Sequence, residues 1–210
     1  MPTTEATTYG RAVCREVLAS ADSTTQDVAG ALGGSRSLVR SNWLAYLLWF
    51  ARSLAGAEMS PNEIADFTNG LADQLADQEG PTEPRRSRVN RFIRSRIEGY
   101  EESLEASKEA ETIGPIMNYL IACSATPRLV VRFGDVRPTP ACVRSVSQKM
   151  HLDASARRQL EEQVAEPKFA YYLPDLTRDL TLEHVLHEAS EHVAEAVERA
   201  QSSLAKTRAS

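Results

Sequence analysis

Apolar side chains recur along most of this chain at intervals of three and four residues, the spacing of one face of an α-helix. Prolines gather at 81–84, at 115, at 127–140 and at 167–174, and long proline-free stretches lie between them. Because proline ends or kinks a helix, each proline-free stretch is predicted to be helical and each proline cluster a connection. The predicted fold class is therefore all-α, a multi-helix bundle.

The pattern places helices at about 5–20, 24–32, 35–56, 61–78, 84–113, 138–149, 153–165 and from 181 past 200. Ser60, Pro61 and Glu63 form a capping-box pattern with proline at the first helical position. Asp153 is a predicted N-cap, and Thr181 with His184 approximates a capped start of the last helix. Only residues 129–133 (LVVRF), followed by Gly134-Asp135, indicate a strand, so at most one short strand pair is expected near 129–137.

Chain order suggests three parts: an N-terminal helical part (1–80), a second helical part (81–174) and a long C-terminal amphipathic helix (175–210). One continuous domain is the alternative. Within the first part, residues 43–50 (WLAYLLWF) are apolar almost all round, which is typical of a helix covered by neighbours on several sides.

Several observations bear on where the protein resides. The apolar run from Trp43 to Ala51 is about half of the ~20 residues that a membrane span needs, so no membrane helix is expected. The N-terminus (MPTTEATTYG) lacks the basic and apolar regions of a secretory signal. Cys14, Cys123 and Cys142 are widely spaced and odd in number, which favours structural thiols in a reducing cytoplasm over a disulfide framework or a zinc site.

The clearest motif lies at residues 25–44 (TQDVAGALGGSRSLVRSNWL). Two helices that cross closely need a small residue, a turn glycine and an apolar contact, and Ala29, Gly33 and Val39 stand at that spacing. The segment resembles the helix-turn-helix of bacterial and phage transcriptional regulators. Gly34 and Asn42 depart from that family's usual apolar residues. An ordinary helical hairpin in a core is the alternative interpretation.

The resemblance implies that the second helix presents hydrogen-bond donors to phosphates and base edges of DNA. The residues expected to do so are Ser35, Arg36, Ser37, Arg40 and Ser41. They make DNA the expected partner.

Charge is distributed unevenly along the chain. The net charge is −5, yet residues 85–96 (RRSRVNRFIRSR) hold six arginines and no acid, and 18 basic and 29 acidic residues lie elsewhere. On a helical wheel, Arg88, Arg91 and Arg94 lie opposite an apolar stripe (Val89, Phe92, Ile93, Ile97, Tyr100 and Leu104), with Arg85, Arg86 and Arg96 flanking.

Arginines early in a helix oppose its macrodipole, so helix stability is a poor reason for this pattern. We expect Arg85, Arg86, Arg88, Arg91 and Arg94 to contact DNA phosphates. Pairing with the acidic helix just before (Glu63, Asp66, Asp73, Asp77 and Glu79), or simple solvation, is the alternative.

The last helix carries an apolar stripe at residues Leu182, Val185, Leu186, Ala189, Val193, Ala196, Val197, Ala200 and Leu204. The stripe predicts docking on the chain's own body, or on a second copy as a homodimer. His184, His187, Glu188, Glu191, Glu195 and Glu198 point away from it. Some of these are spaced four apart, as metal ligands on a helix are, but a solvated face explains them and no metal or other cofactor is expected.

Enzyme motifs for phosphate cradling, nucleotide binding, serine hydrolysis and zinc proteolysis are missing from the sequence. Arg178-Asp179 followed by His184 is similar to the active-site motif of HEPN ribonucleases, which implies metal-independent RNA cleavage by an arginine and a histidine. The sequence favours a DNA-binding transcriptional regulator without catalytic activity. A helical interaction or scaffold protein is the first alternative, and a HEPN-like ribonuclease is the second.

Overall fold

The computed structural model describes residues 4–32, 35–80, 82–111, 114–124, 138–165 and 176–208, and they form α-helices and no strand. The eight helices are α1 (Glu5–Leu32), α2 (Arg36–Ala55), α3 (Pro61–Glu79), α4 (Arg85–Ala110), α5 (Gly114–Ser124), α6 (Pro140–Lys149), α7 (Ala154–Ala165) and α8 (Leu176–Arg208). The all-α prediction is confirmed. The strand pair predicted near 129–137 lies outside the described residues.

The first two predicted helices are one continuous helix, α1. The polar residues at the predicted break do not end it, because their hydroxyls bond back to the helix. Ser23 Oγ and Thr24 Oγ1 both donate to the carbonyl oxygen of Ser20, at 3.0 and 2.7 Å. Ala21 and Thr25 are buried on the same segment, so packing also favours continuity.

Two further elements differ from the prediction. Helix α8 begins at Leu176, so Thr181 lies inside it and does not start it. Helix α5 was not predicted, because its sequence (GPIMNYLIACS) is short and begins with a glycine and a proline. All 11 of its residues are buried, and it packs against α6.

The predicted helix starts are confirmed where the caps are described. Ser60 Oγ accepts from Glu63 N while a Glu63 carboxylate oxygen accepts from Ser60 N, so the capping box of α3 is complete. Asp153 Oδ1 accepts from Ala156 N at 2.8 Å and caps α7. Thr139, which was not predicted as a cap, caps α6, with Pro140 at the first helical position.

The chain forms two compact units that are interleaved along the sequence. Unit 1 comprises residues 1–24, 44–95 and 184–210, and unit 2 comprises residues 25–43 and 96–183. Helices α1, α2, α4 and α8 each contribute residues to both units. Neither predicted boundary, near 80 or near 174, separates these units, because prolines mark where helices end and not which helices pack together.

Unit 1 buries apolar residues of four helices, including Val17, Leu47, Phe67 and Val193. The stripe of α8 is buried at every predicted position from Val185 to Leu204, whereas Leu182 lies among side chains that are not described. Gln201 Nε2 on α8 donates to the carbonyl oxygen of Leu54, at 3.4 Å. Docking of the last helix on its own chain is therefore confirmed. A homodimer through the same stripe stays a prediction, and it would require α8 to leave this position.

Unit 2 contains α5, α6 and α7 together with the end of α1, the start of α2, the second half of α4 and the start of α8. Its buried apolar residues include Val28, Val39, Trp43, Leu120 and Val146. Along α2, residues 43–49 are buried and Phe50 is partly exposed, so the prediction that residues 43–50 are covered all round is confirmed for all but the last position. No helix among the described residues combines the length and apolar character that crossing a membrane requires.

Candidate nucleic-acid interface

The end of α1 and the start of α2 carry the helix-turn-helix-like pattern. The positions that the resemblance expects to be covered are covered: Val28 and Val39 are fully buried and Ala29 is 9% exposed. The turn glycines, Gly33 and Gly34, lie outside the described residues. Asn42, where that family usually places an apolar residue, is also buried. A helix-turn-helix and an ordinary helical hairpin both require these positions to be buried, so their burial does not distinguish the two interpretations.

Asn42 holds α2 to the rest of unit 2. Its side-chain amide donates to the carbonyl oxygen of Leu38 at 2.8 Å and to that of Cys123, on α5, at 3.0 Å. Since α5 is wholly buried, this bond fixes the start of α2 on a rigid support. A polar residue here thus replaces the usual apolar contact with a directed hydrogen bond.

The five predicted DNA-contacting residues at the start of α2 differ in solvent exposure. Ser35, Arg36 and Ser37 are exposed, as predicted. Ser35 also caps the helix, because its hydroxyl accepts from Leu38 N at 3.4 Å. Arg40 and Ser41 are only partly exposed, and Ser41 Oγ donates to the carbonyl oxygen of Ser37 at 3.1 Å. Arg36 and Ser37 are therefore the most accessible of the five predicted donors.

The six arginines of residues 85–96 fall into three environments. Arg85, Arg88, Arg91 and Arg94 are exposed, with no ion pair inside the described part of the chain. We call these four side chains the basic face of α4. The face is about 14 Å long, given a rise of ~1.5 Å per residue. Arg86 and Arg96 are only partly exposed, and each has a polar partner within its own unit.

Arg86 belongs to a charge network on unit 1. Its guanidinium lies 3.7 Å from Asp73 and 3.5 Å from Asp77, and Arg11 on α1 reaches the same two carboxylates at 3.4 and 3.1 Å. The guanidinium of Arg86 is thus already paired in this structure, and its contact with DNA stays a prediction. Pairing with the preceding acidic helix, the alternative interpretation, holds for this residue.

Arg96 turns inward in unit 2, although the helical wheel placed it beside the exposed arginines. Its Nη1 donates to Ser145 Oγ at 3.3 Å, and the guanidinium also hydrogen-bonds Tyr119. Of the apolar stripe predicted for α4, Tyr100 is fully buried and the other members are partly exposed. The stripe therefore faces inward, but most of its side chains remain partly accessible to solvent.

The second half of α4 is acidic, as predicted, and part of it has a structural role. Glu98, Glu105 and Glu109 are exposed. Glu102 is partly buried: one carboxylate oxygen accepts from Ala141 N at 2.8 Å, and the other pairs with Arg144. It thereby holds the first turn of α6, where a negative charge also complements the helix macrodipole.

The polar side of α8 is solvated where it is described. His184, His187, Glu188, Glu191, Glu195 and Glu198 are all exposed. His187 lies 3.3 Å from Glu191 on the same helix, and His192 lies 3.2 Å from Glu16 on α1. No group of three or more potential metal ligands occurs in the described part of the chain. The side chain of Arg178, needed for the ribonuclease resemblance, lies outside it.

The three cysteines are buried and form no disulfide. Burial is the main cause that raises the pKa of both Cys14 and Cys142 to about 12. Such thiols stay protonated and are poor nucleophiles. This agrees with the prediction of structural thiols.

The sequence reasoning missed the polar interior that α5 organises. Residues 116–124 (IMNYLIACS) form a short apolar run with tyrosine, cysteine and serine inside it. Such a run is consistent with a buried helix, but periodicity alone does not reveal its partners. Comparisons of this chain with known protein families, with curated proteins and with solved structures gave no match.

Proposed function

We propose that this protein binds DNA through the exposed start of α2 and acts as a transcriptional regulator, with the basic face of α4 adding phosphate contacts. The observation that carries the proposal is the exposure of Ser35, Arg36 and Ser37 beside a helix pair whose inner positions are buried. Arginine and serine are donors suited to base edges and phosphates. The Asn42 bond to α5 supplies a fixed support, which a base-reading helix needs.

The basic face of α4 supports a polyanionic partner independently of the motif. Four exposed arginines at intervals of three residues lie in a stretch, residues 85–97, that contains no acidic residue. Arg85 and Arg88 lie in the first turn of α4, where the positive end of the helix macrodipole disfavours them in the isolated helix. Phosphate contacts would offset that cost and would make the affinity depend on salt.

The proposal is tested by fluorescence anisotropy of the full chain on genomic DNA fragments and on random DNA, at several salt concentrations. Arg36→Ala should weaken binding to the preferred fragment by about 5- to 150-fold, the equivalent of ~1–3 kcal/mol, and random DNA much less. Arg158→Ala, an exposed arginine on α7, is the matched control and should bind as the parent does. Melting temperatures verify that all variants are folded.

Substituting the four arginines of the basic face together with alanine should weaken binding to both DNAs about equally. The slope of log affinity against log salt should become shallower by ~0.9 for each phosphate that the variant no longer neutralises. If the parent protein binds no fragment, or if Arg36→Ala leaves the preference among fragments unchanged, the proposal is wrong.

A helical interaction protein is the second candidate function, and the length of α2 favours it. A recognition helix is usually short, whereas α2 continues to Ala55 with residues 42–49 buried. In this case the helix pair is part of a core and its exposed start is only solvated. Failure to bind either DNA or RNA at low salt supports this candidate, whereas cleavage of an RNA competitor supports the ribonuclease resemblance instead.

A further inference from the structure

The four arginines of the basic face of α4 occupy one row of positions, each three residues after the one before. An α-helix turns by about 100° per residue, so every third residue is displaced by about 60° around the axis. Arg85 and Arg94, at the ends of the row, are therefore about 180° apart around α4, and the row runs obliquely, at about 45° to the helix axis. The basic face is thus a curved ridge on the exposed side of the helix.

Within the described part of the chain, the charges of the basic face have no acidic partners. Its four side chains are exposed and have no ion pair there, and residues 85–97 contain no acid. Arg86 differs, because it pairs with Asp73 and Asp77. Like charges at neighbouring positions on a helix repel one another. A bound polyanion would offset that repulsion, so the basic face is suited to a ligand with several negative charges.

The basic face belongs to a single unit. All four arginines lie in unit 1, whereas the start of α2, residues 36–43, lies in unit 2. The face also ends within its own helix, because Glu98 is exposed one turn after Arg94. Every group that forms it therefore comes from one short segment of unit 1, and a ligand of this surface does not need the donors of α2.

The curvature of the basic face favours a flexible polyanion. A DNA duplex is stiff over ~150 base pairs and cannot bend around an α-helix that is about 10–12 Å wide, so it would contact only part of the face. A single strand is flexible, and its phosphates can each meet a planar guanidinium.

We propose that the basic face of α4 binds the phosphate backbone of single-stranded nucleic acid, without regard to base sequence. This inference rests on the proposed function in taking nucleic acid as the partner, but it assigns unit 1 a binding surface that acts separately from the start of α2.

The proposal is tested by fluorescence anisotropy of the full chain with a labelled thymidine oligodeoxynucleotide and, separately, with a labelled uridine oligoribonucleotide, at several salt concentrations. Four phosphate contacts on a single strand predict a slope of log affinity against log salt of about −3, because each contributes ~0.7. Tighter binding of one probe assigns the surface to DNA or to RNA. Polyglutamate at equal charge should compete weakly, and competition equal to that of the unlabelled strand overturns the proposal in favour of an acidic protein partner.

Substituting the four arginines of the basic face with alanine should bring the salt slope close to zero. The matched control removes the same charge from four other exposed positions and should keep the parent's slope: Arg15→Ala, Arg157→Ala, Arg158→Ala and Arg199→Ala together. The single variants Arg85→Ala and Arg94→Ala should each flatten the slope by ~0.7, since one strand spans the whole face. An effect at only one of these two ends contradicts the proposed path of the strand.

The outcomes separate this inference from the proposed function. Arg36→Ala should leave single-strand binding unchanged while it reduces the preference among duplex fragments. A parent that binds duplex fragments with a preference but binds neither single strand overturns only the inference. Binding of single strands without any preference among duplex fragments overturns only the proposed function. Equal single-strand binding by the basic-face variant and its control also overturns the inference.

Discussion

The six arginines of residues 85–96 occupy three different environments in this protein. The arginines of residues 85–96 are adjacent in sequence, yet Arg86 joins a carboxylate network, Arg96 enters the interior of unit 2 and four others form the basic face. Surface ion pairs contribute little to stability, ~0–1 kcal/mol each. The network of Arg11, Arg86, Asp73 and Asp77 joins α1, α3 and α4. Its contribution to the free energy of unfolding is therefore expected to be small.

At the residue scale, the cysteines yield a prediction about reactivity. Burial raises the pKa of Cys14 and Cys142 to about 12, so the reactive thiolate is scarce in the folded protein. Iodoacetamide should therefore label both residues only when the chain unfolds. Mass spectrometry of the alkylated protein across a urea series measures this, and labelling of either residue in the native protein at the unfolded rate contradicts it.

The same thiols make stability depend on pH. A raised folded-state pKa means that the folded chain keeps a proton that the unfolded chain has already lost. The stability contributed by these groups is thus complete below about pH 9, the ordinary thiol value, and it declines as the pH rises towards about 12. Substituting both Cys14 and Cys142 with alanine should flatten this decline in urea unfolding experiments.

At the scale of elements, caps and close crossings determine how the helices are arranged. Ser60, Thr139 and Asp153 each satisfy a free amide at a helix start, so these helices begin where their sequences dictate. The crossing of α1 and α3 depends instead on two glycines. A Cβ atom at Gly10 would overlap the carbonyl group of Phe67, and one at Gly70 would overlap that of Thr7.

We therefore expect Gly70→Ala to destabilise the protein by about 1–3 kcal/mol, because the two backbones must separate to admit a methyl group. The matched control is Gly30→Ala on α1, where a Cβ atom would meet nothing within 4 Å. That variant should gain about 0.5–1 kcal/mol from improved helix propensity. Free energies of unfolding in urea compare the two, and a Gly70→Ala protein as stable as its parent would show that the crossing is looser than described.

At the scale of the whole molecule, each unit is built from distant parts of the chain. Unit 1 includes the residues of α8 from His184 onward, whose apolar stripe covers residues from the first half of the sequence. A helix of this kind is marginal alone in water and owes its stability to packing. Unit 1 is consequently not complete until the C-terminus has been made.

Truncation after Asp179 should uncover the core of unit 1 and lower both solubility and the cooperativity of thermal unfolding. Circular dichroism during heating, together with sedimentation to assess aggregation, measures the effect. Truncation after Leu204 is the control, because it keeps the whole stripe and removes exposed residues such as Lys206. If the protein truncated after Asp179 melts as sharply as the parent and stays in solution, the docking of α8 is dispensable for folding.

The sequence by itself determined the all-α class, the capped starts of α3 and α7, the inward and outward faces of α8, and those of α4 except at Arg96. These features depend on periodicity and hydrogen bonds within a few residues, which local sequence specifies. It also marked the start of α2 and the basic face of α4 as exposed donors. Exposure is confirmed for Ser35, Arg36, Ser37 and the four arginines of the basic face, while their binding partner stays a prediction.

Only the tertiary structure decided which arginines are exposed to a binding partner and which residues form the polar interior of unit 2. Arg11 pairs with Asp77, 66 residues away, Arg96 meets Ser145, 49 residues away, and Asn42 bonds to Cys123, 81 residues away. No local pattern encodes such separations, because burial and pairing depend on which helices pack together. The same packing extends α1 through a polar segment and buries α5 on all sides.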